Sequence, residues 1–171
     1  MPAPARERLL SLAHTLIAAD GRVTLPEFLL YTVLEARLGA RPQPSRPARY
    51  ASLRDLAPEA RLVLSLLAAV RLPEAPAHAY EGGARGLEGI DAEPVAPDAL
   101  ALQKVSAAFR RLNLLAPLVK PQFIKACVAV AFVDGAGNWK AASCLRTLCA
   151  ALDCPLPPQV DAQEAAQGSG A

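Results

Sequence analysis

Two short stretches hold the side chains best suited to chemistry: Asp20-Gly21-Arg22-Val23-Thr24-Leu25-Pro26-Glu27 and Asp134-Gly135-Ala136-Gly137-Asn138-Trp139-Lys140-Ala141. Carboxylates around an Asp-Gly step are what a calcium loop uses. With Asp20 at the fifth place of an EF-hand loop, Gly21 falls at the sixth, Val23 at the eighth and Glu27 at the twelfth. The front half of such a loop is missing, because its first and third places are Leu16 and Ala18 and the ion needs about six oxygens. In the second stretch Val130, Phe132 and Ala141 stand where carboxylates belong. Asp20, Glu27 and Asp134 are therefore the candidate metal ligands, but the residue types favour a structural use, and neither metal nor cofactor is expected.

That structural use is helix capping. Thr24 is placed to be an N-cap with Glu27 three residues on, so hydroxyl and carboxylate each take one backbone N–H in a capping box. Pro26 lies in the first turn, where its missing N–H costs nothing. Gly21 can supply the left-handed residue that closes the preceding helix. In the second stretch Asn138 is the cap and alanine replaces the glutamate. The turn-and-cap set is thus Asp20, Gly21, Thr24, Glu27, Asp134, Gly135 and Asn138.

The remaining reactive residues form no catalytic pattern. Cys127, Cys144, Cys149 and Cys154 contain no Cys-x-x-Cys pair. Steps of five set neighbours about 140° apart around a helix, so buried small apolar residues are expected rather than zinc ligands. His14 and His78 have no Cys or carboxylate at ligand spacing. There is no His-Glu-x-x-His, no Gly-x-Ser-x-Gly and no P-loop. The chain is expected not to be an enzyme. Trp139 reads as a packing residue at the start of the last helix.

The elements that position these residues read as all-α. Of the 171 residues 53% are hydrophobic and only 5% aromatic, so the core must be built from Leu, Val and Ala, which favour helices. Sixteen prolines cut the chain into short helices. Helices are expected over about 5–19, 25–38, 58–71, 98–113, 118–133 and 139–152, with a weakly supported one near 75–87. The most apolar, 58–71, is expected at the centre. The stripe Phe28, Leu30, Tyr31, Val33, Leu34, Leu38 of the second helix matches Cys144, Leu145, Leu148 and Leu152 of the last in part, at a constant offset. The chain then reads as two αα-hairpins, 5–38 and 118–153, related as a degenerate repeat. Middle helices over 58–113 complete a bundle of about six or seven helices in one domain, 1–158. A Pro/Arg-rich linker covers 41–57, and 159–171 is expected to be a disordered tail.

Charge and hydropathy narrow the partners. A net charge of +2 and a pI near 8.4 are too mild to imply nucleic acid, and none is expected. No apolar run reaches the ~18 residues a membrane span requires. The amino-terminal Arg6, Arg8 and Leu9–Ala19 mimic a signal peptide superficially, yet Leu9, Leu12, Ala13, Leu16 and Ile17 keep helical spacing. A cytoplasmic location, extending to the inner face of the membrane, is expected. The loop Arg41–Arg54, carrying Tyr50 and no acidic residue, is an alternative anionic-surface site.

The outline of helix, Ala-Asp-Gly-x-Val-Thr-x-x-Glu, helix resembles the TerB-like family, the all-helical group named for tellurite resistance. Further similarity lies in Leu112-Asn113-Leu114-Leu115-Ala116-Pro117-Leu118-Val119-Lys120, in Ala126-Cys127, in Asp134-Gly135, and in Leu145-Arg146 through Cys154-Pro155-Leu156-Pro157-Pro158. This is similar to the carboxy-terminal cytoplasmic region of proteobacterial membrane zinc metallopeptidases of the HtpX and CAAX-prenyl-protease kind. The resemblance spans about 10–158. The protease's zinc helix and membrane spans are absent, so it carries over no catalytic residue. It implies a non-catalytic accessory or regulatory interaction domain whose partner is a membrane metallopeptidase, in cis or in trans. The alternative is a stand-alone stress or tellurite-response protein with weak divalent-metal binding.

Overall fold

The computed structural model describes residues 3–17, 48–135 and 138–160. The second helix expected at 25–38, with Asp20, Gly21, Thr24 and Glu27, lies outside the described residues, as do most of the Arg41–Arg54 loop and 161–171. The described chain is all-α. Its helices are α1 (Ala3–Ile17), α2 (Ala57–Arg71), α3 (Pro76–Ala84), α4 (Leu102–Leu112), α5 (Lys120–Ala131) and α6 (Trp139–Ala151), with 3-10 turns at Leu53–Leu56, Pro97–Ala99 and Val133–Gly135. No described helix is long and apolar enough to cross a membrane.

The core is built around α2. Pro58 sits in its first turn, and Ala60, Val63, Leu64 and Leu67 are completely buried because α3, α4, α5 and α6 all pack against it. The amphipathic pattern of α4 turns Val105, Ala108, Phe109 and Leu112 inward. From α5 and α6 come Phe123, Cys127, Val130, Cys144, Leu145 and Leu148. On α1 Ala13 is buried, while Leu9 and Leu12 remain exposed.

Three expectations are sharpened or changed. The stretch 73–97, where propensity only weakly supports a helix near 75–87, contains such a helix, α3, and a tethered return segment. Gly83 explains the conflict with propensity. A Cβ there would lie 2.5 Å from Val130 Cγ2 and 2.6 Å from Ala126 O, so glycine is what lets α3 approach the α5 backbone. The return segment is pinned by Tyr80 Oη donating to Asp91 O (2.8 Å), Arg61 Nη1 donating to Asp91 Oδ2 (2.7 Å) and Val95 N donating to Ser65 Oγ (2.8 Å). Ser65 is buried on α2 and its hydroxyl donates in turn to Arg61 O at 2.7 Å.

The second change concerns the Pro/Arg-rich linker. Its described part is integrated with the core: Tyr50 pairs with Leu115 in a parallel bridge, through Tyr50 N to Leu114 O (3.3 Å) and Ala116 N to Tyr50 O (2.9 Å). Leu53 and Leu56 are buried on a 3-10 turn whose N-cap is Ser52. Arg111 lies over the Tyr50 ring, 5.6 Å from its centroid, and also pairs with Glu59. The third is the tail, in which Val160 is wholly buried against the core, so the packed chain continues past 158. A helical turn, with Val160 N donating to Pro157 O, carries this one apolar residue into the core.

Candidate functional site

Two places on the described surface combine shape with chemistry. The first is the corner between α5 and α6. Asp134 and Gly135 both take left-handed backbone, with φ of 64° and 76°. Glycine adopts that conformation freely, and aspartate is among the few other residues that tolerate it. The Asp134 carboxylate faces His78 of α3, whose Nε2 is 3.2 Å from Oδ1 and 3.3 Å from Oδ2. Asn138 caps α6 by accepting from Ala141 N at 2.8 Å, and its Nδ2 donates to Arg71 O at 3.1 Å. Arg71 in return donates through Nη2 to Val133 O at 3.2 Å. The corner is therefore bound to the end of α2 and the start of α3.

Of the candidate metal ligands, Asp134 is the one within the described residues. Its carboxylate is engaged by a histidine, and among the described residues no three His, Cys, Asp or Glu side chains gather as a metal ion requires. The sequence reading assigned His78 no partner because that partner is 56 residues away.

The thiols converge from α5, α6 and the segment after α6. Cys127, Cys144 and Cys149 are buried and Cys154 is half-buried; all are free. Burial pushes the Cys144 thiol up to about 12 and that of Cys149 up to about 11, with Cys154 adding to the latter. Cys127 is raised well above the ordinary thiol range, first by burial and then by the other three cysteines. Cys154 is also raised by burial, against the opposing pull of Lys120. Burial thus favours the protonated thiol at all four positions, and for Cys127, Cys144 and Cys149 this is the opposite of the electropositive, accessible setting a nucleophilic cysteine needs.

The second place is an apolar groove of about 250 Å³. One wall is the outer side of α5, with Pro121, Ile124, Lys125 and Val128; the other is the segment after α6, with Cys154, Pro155, Pro157 and Gln159. The second wall is held in place by local bonds. Asp153 takes φ of 54°, which turns the chain back so that Cys154 N donates to Cys149 O at 2.9 Å. Lys120 Nζ then ties the start of α5 to the end of α6 by donating to Leu152 O at 2.8 Å. The prolines keep this wall extended and leave it few N–H groups that demand partners. Leu118, three residues before Pro121, is 93% exposed, so apolar surface continues along the chain beyond the groove. Trp139, expected to pack, is 58% exposed at the start of α6, with Lys140 Nζ 6.0 Å from its ring centroid.

No signal in any single stretch announces this groove, because its walls lie about thirty residues apart and meet only through the α5–α6 hairpin. Compared with protein families, curated proteins and solved structures, the chain has no match.

Proposed function

We propose that this chain is a non-catalytic helical interaction domain that serves as an accessory or regulatory module of a membrane zinc metallopeptidase. The observation that carries the reading is the apolar groove between α5 and Cys154–Gln159, a concave surface with one charged group among its described lining residues. Exposed apolar surface of this kind, continued by Leu118, is what a partner buries on docking. Support also comes from the segments that resemble the metallopeptidase-associated TerB-like region: Leu112–Lys120 leads directly into one wall and Cys154–Pro158 forms most of the other. The buried, protonated cysteines and the His78–Asp134 pair serve packing and the corner in this reading, and the chain has no catalysis of its own.

The test is reconstitution in detergent with a purified membrane metallopeptidase of the HtpX kind from the same organism. Co-elution on gel filtration and an altered rate of proteolysis are expected, both lost in Val128→Glu. An unchanged rate with separate elution of the two proteins overturns the reading.

A further inference from the structure

The way α6 ends pairs two of the four thiols. With Leu152 as its C-cap, Cys149 is the third-last helical residue and Cys154 lies two places beyond the cap. Asp153 before it is left-handed at φ 54°, and Cys154 N donates to Cys149 O at 2.9 Å. This is a common helix terminator, one that brings together the side chains at its two bonded positions. Here Cys149 belongs to the core and Cys154 packs against that core, close enough to raise the Cys149 thiol. The backbone bond also fixes the reach. Standard bond lengths on either side of the 2.9 Å hydrogen bond, even laid end to end, hold the two Cα atoms within about 6.8 Å, and bond angles bring them closer. A disulfide joins residues whose Cα atoms stand about 4.4–6.8 Å apart.

The two sulfurs differ in access. Cys149 is 2% exposed, whereas Cys154 is half-buried on the wall of the groove, where a small reagent can reach it. Cys154 Sγ and Lys120 Nζ both bond Leu152 O, at 3.6 and 2.8 Å, so the reachable sulfur has a cation as neighbour that works against burial to favour the thiolate. We propose that Cys154 and Cys149 form a reversible redox pair, Cys154 being the site oxidised by hydrogen peroxide and Cys149 the thiol that resolves it. The Cys154 thiolate attacks one peroxide oxygen and the O–O bond breaks. Cys154 becomes a sulfenic acid, and the other oxygen leaves as water with the thiol proton. The Cys149 sulfur then attacks the Cys154 sulfur, the S–O bond breaks, and a second water leaves with the Cys149 proton. Two thiols are thereby oxidised to one disulfide, and one peroxide is reduced to two waters. The disulfide clips the second wall of the groove to the last turn of α6, and a thiol reductant releases it. The pair does not depend on the interaction-domain reading and stands if the proposed partner fails.

The experiment treats the full chain, folded and reduced, with hydrogen peroxide in small excess. The remaining thiols are then blocked with iodoacetamide under denaturing conditions, and tryptic peptides are mapped by mass. Trypsin cuts after Arg146, so the peptide beginning at Thr147 holds both Cys149 and Cys154 and neither of the other cysteines. That peptide is expected to be unalkylated and two hydrogens lighter than its reduced form, and to become doubly alkylated when dithiothreitol precedes the block. Cys149→Ala should arrest at a Cys154 sulfenic acid, captured by dimedone. Cys154→Ala should slow the oxidation of Cys149 at least about tenfold, since the buried thiol is then left to meet peroxide alone. A far-UV dichroism melt checks that both variants fold, and if either does not, the map of the parent chain decides by itself. Cross-linked peptides joining Cys154 to Cys127 or Cys144 overturn the proposal. So do a sulfinic acid at Cys154 in place of the disulfide, an unchanged peptide, or oxidation of Cys149 at the parent rate in Cys154→Ala.

Discussion

His78 Nε2 lies 3.2 Å from Asp134 Oδ1, joining the first turn of α3 to a corner that the sequence places 56 residues later. Both side chains are more than half exposed, so the pair is solvent-screened and contributes about 0–1 kcal/mol. Asp134 also sits at φ 64°, where glycine is unstrained. Asp134→Gly is therefore expected to leave stability within about 1 kcal/mol of the parent, the lost pair offset by relief of the backbone. Asn138→Ala removes both the α6 cap and the bond to Arg71 O and should cost about 1–2 kcal/mol. Urea denaturation of the two variants distinguishes them. Equal losses would mean that the carboxylate holds the corner as firmly as the amide.

Gly83 and Gly86 make a matched pair for testing close packing. A Cβ at Gly83 would overlap Val130 Cγ2 and Ala126 O, whereas a Cβ at Gly86 would meet nothing within 4 Å. Gly83→Ala is expected to destabilise by about 2–3 kcal/mol despite alanine's helix propensity. Gly86→Ala should stay within about 0.5 kcal/mol. For a chain of this size the first corresponds to a fall in Tm of roughly 5–10 °C, readable by calorimetry. A neutral Gly83→Ala would show that α3 stands further from α5 than a Cβ contact of 2.5 Å to Val130 Cγ2 requires.

Ser65 carries the return segment on α2. Ser65→Ala leaves Val95 N without its acceptor and should cost about 1–3 kcal/mol. The change is expected to be local: amide exchange at Val95 should accelerate more than exchange at Leu64 or Leu67, which are fully buried on α2. Uniform acceleration would contradict a tether and indicate a global loss.

The thiols predict an order of labelling and a pH dependence. Under native conditions iodoacetamide should reach half-buried Cys154 first, and Cys127, Cys144 and Cys149 only on unfolding. Cys144 ionises at about 12 when folded and at 9.0 when free, and Cys149 at about 11. Below pH 9 both states keep these protons, so the thiols add no pH dependence. Above it the unfolded chain loses them first and binds fewer protons than the native state, so stability falls as pH rises towards 11 and 12. Each thiol contributes a slope of about 1.4 kcal/mol per pH unit within its window. Denaturant titrations from pH 8 to 11 should show this loss, and Cys144→Ala should flatten it. An unaltered slope in the variant would assign the effect elsewhere.

The helices were legible wherever an apolar face repeats at helical spacing. Leu62 to Val70 marks α2 and its central place, and Val105, Phe109 and Leu112 mark the buried face of α4. What could not be read depends on pairings distant in sequence. Glycine at position 83 signals a break when judged by propensity but a close helix approach when Val130 is known to face it. Val160 reads as part of a polar tail until the core it enters is in view. His78 is unremarked without Asp134, and the groove needs two walls that no contiguous stretch contains. The first Asp-Gly stretch, Asp20 to Glu27, lies outside the described residues, so its comparison with the Asp134 corner rests on sequence.

Arg71 holds the α5–α6 corner from both sides, its carbonyl taking Asn138 Nδ2 and its guanidinium giving to Val133 O. Such reciprocal bonding closes a ring: neither side of the turn can leave without breaking a bond to the same residue. Because that residue ends the central helix, opening the corner also loosens the terminus of α2. Unfolding that begins at this hairpin therefore spreads into the middle of the molecule instead of stopping at its edge. The wall of the groove that α5 supplies should accordingly be lost in one cooperative step with the core.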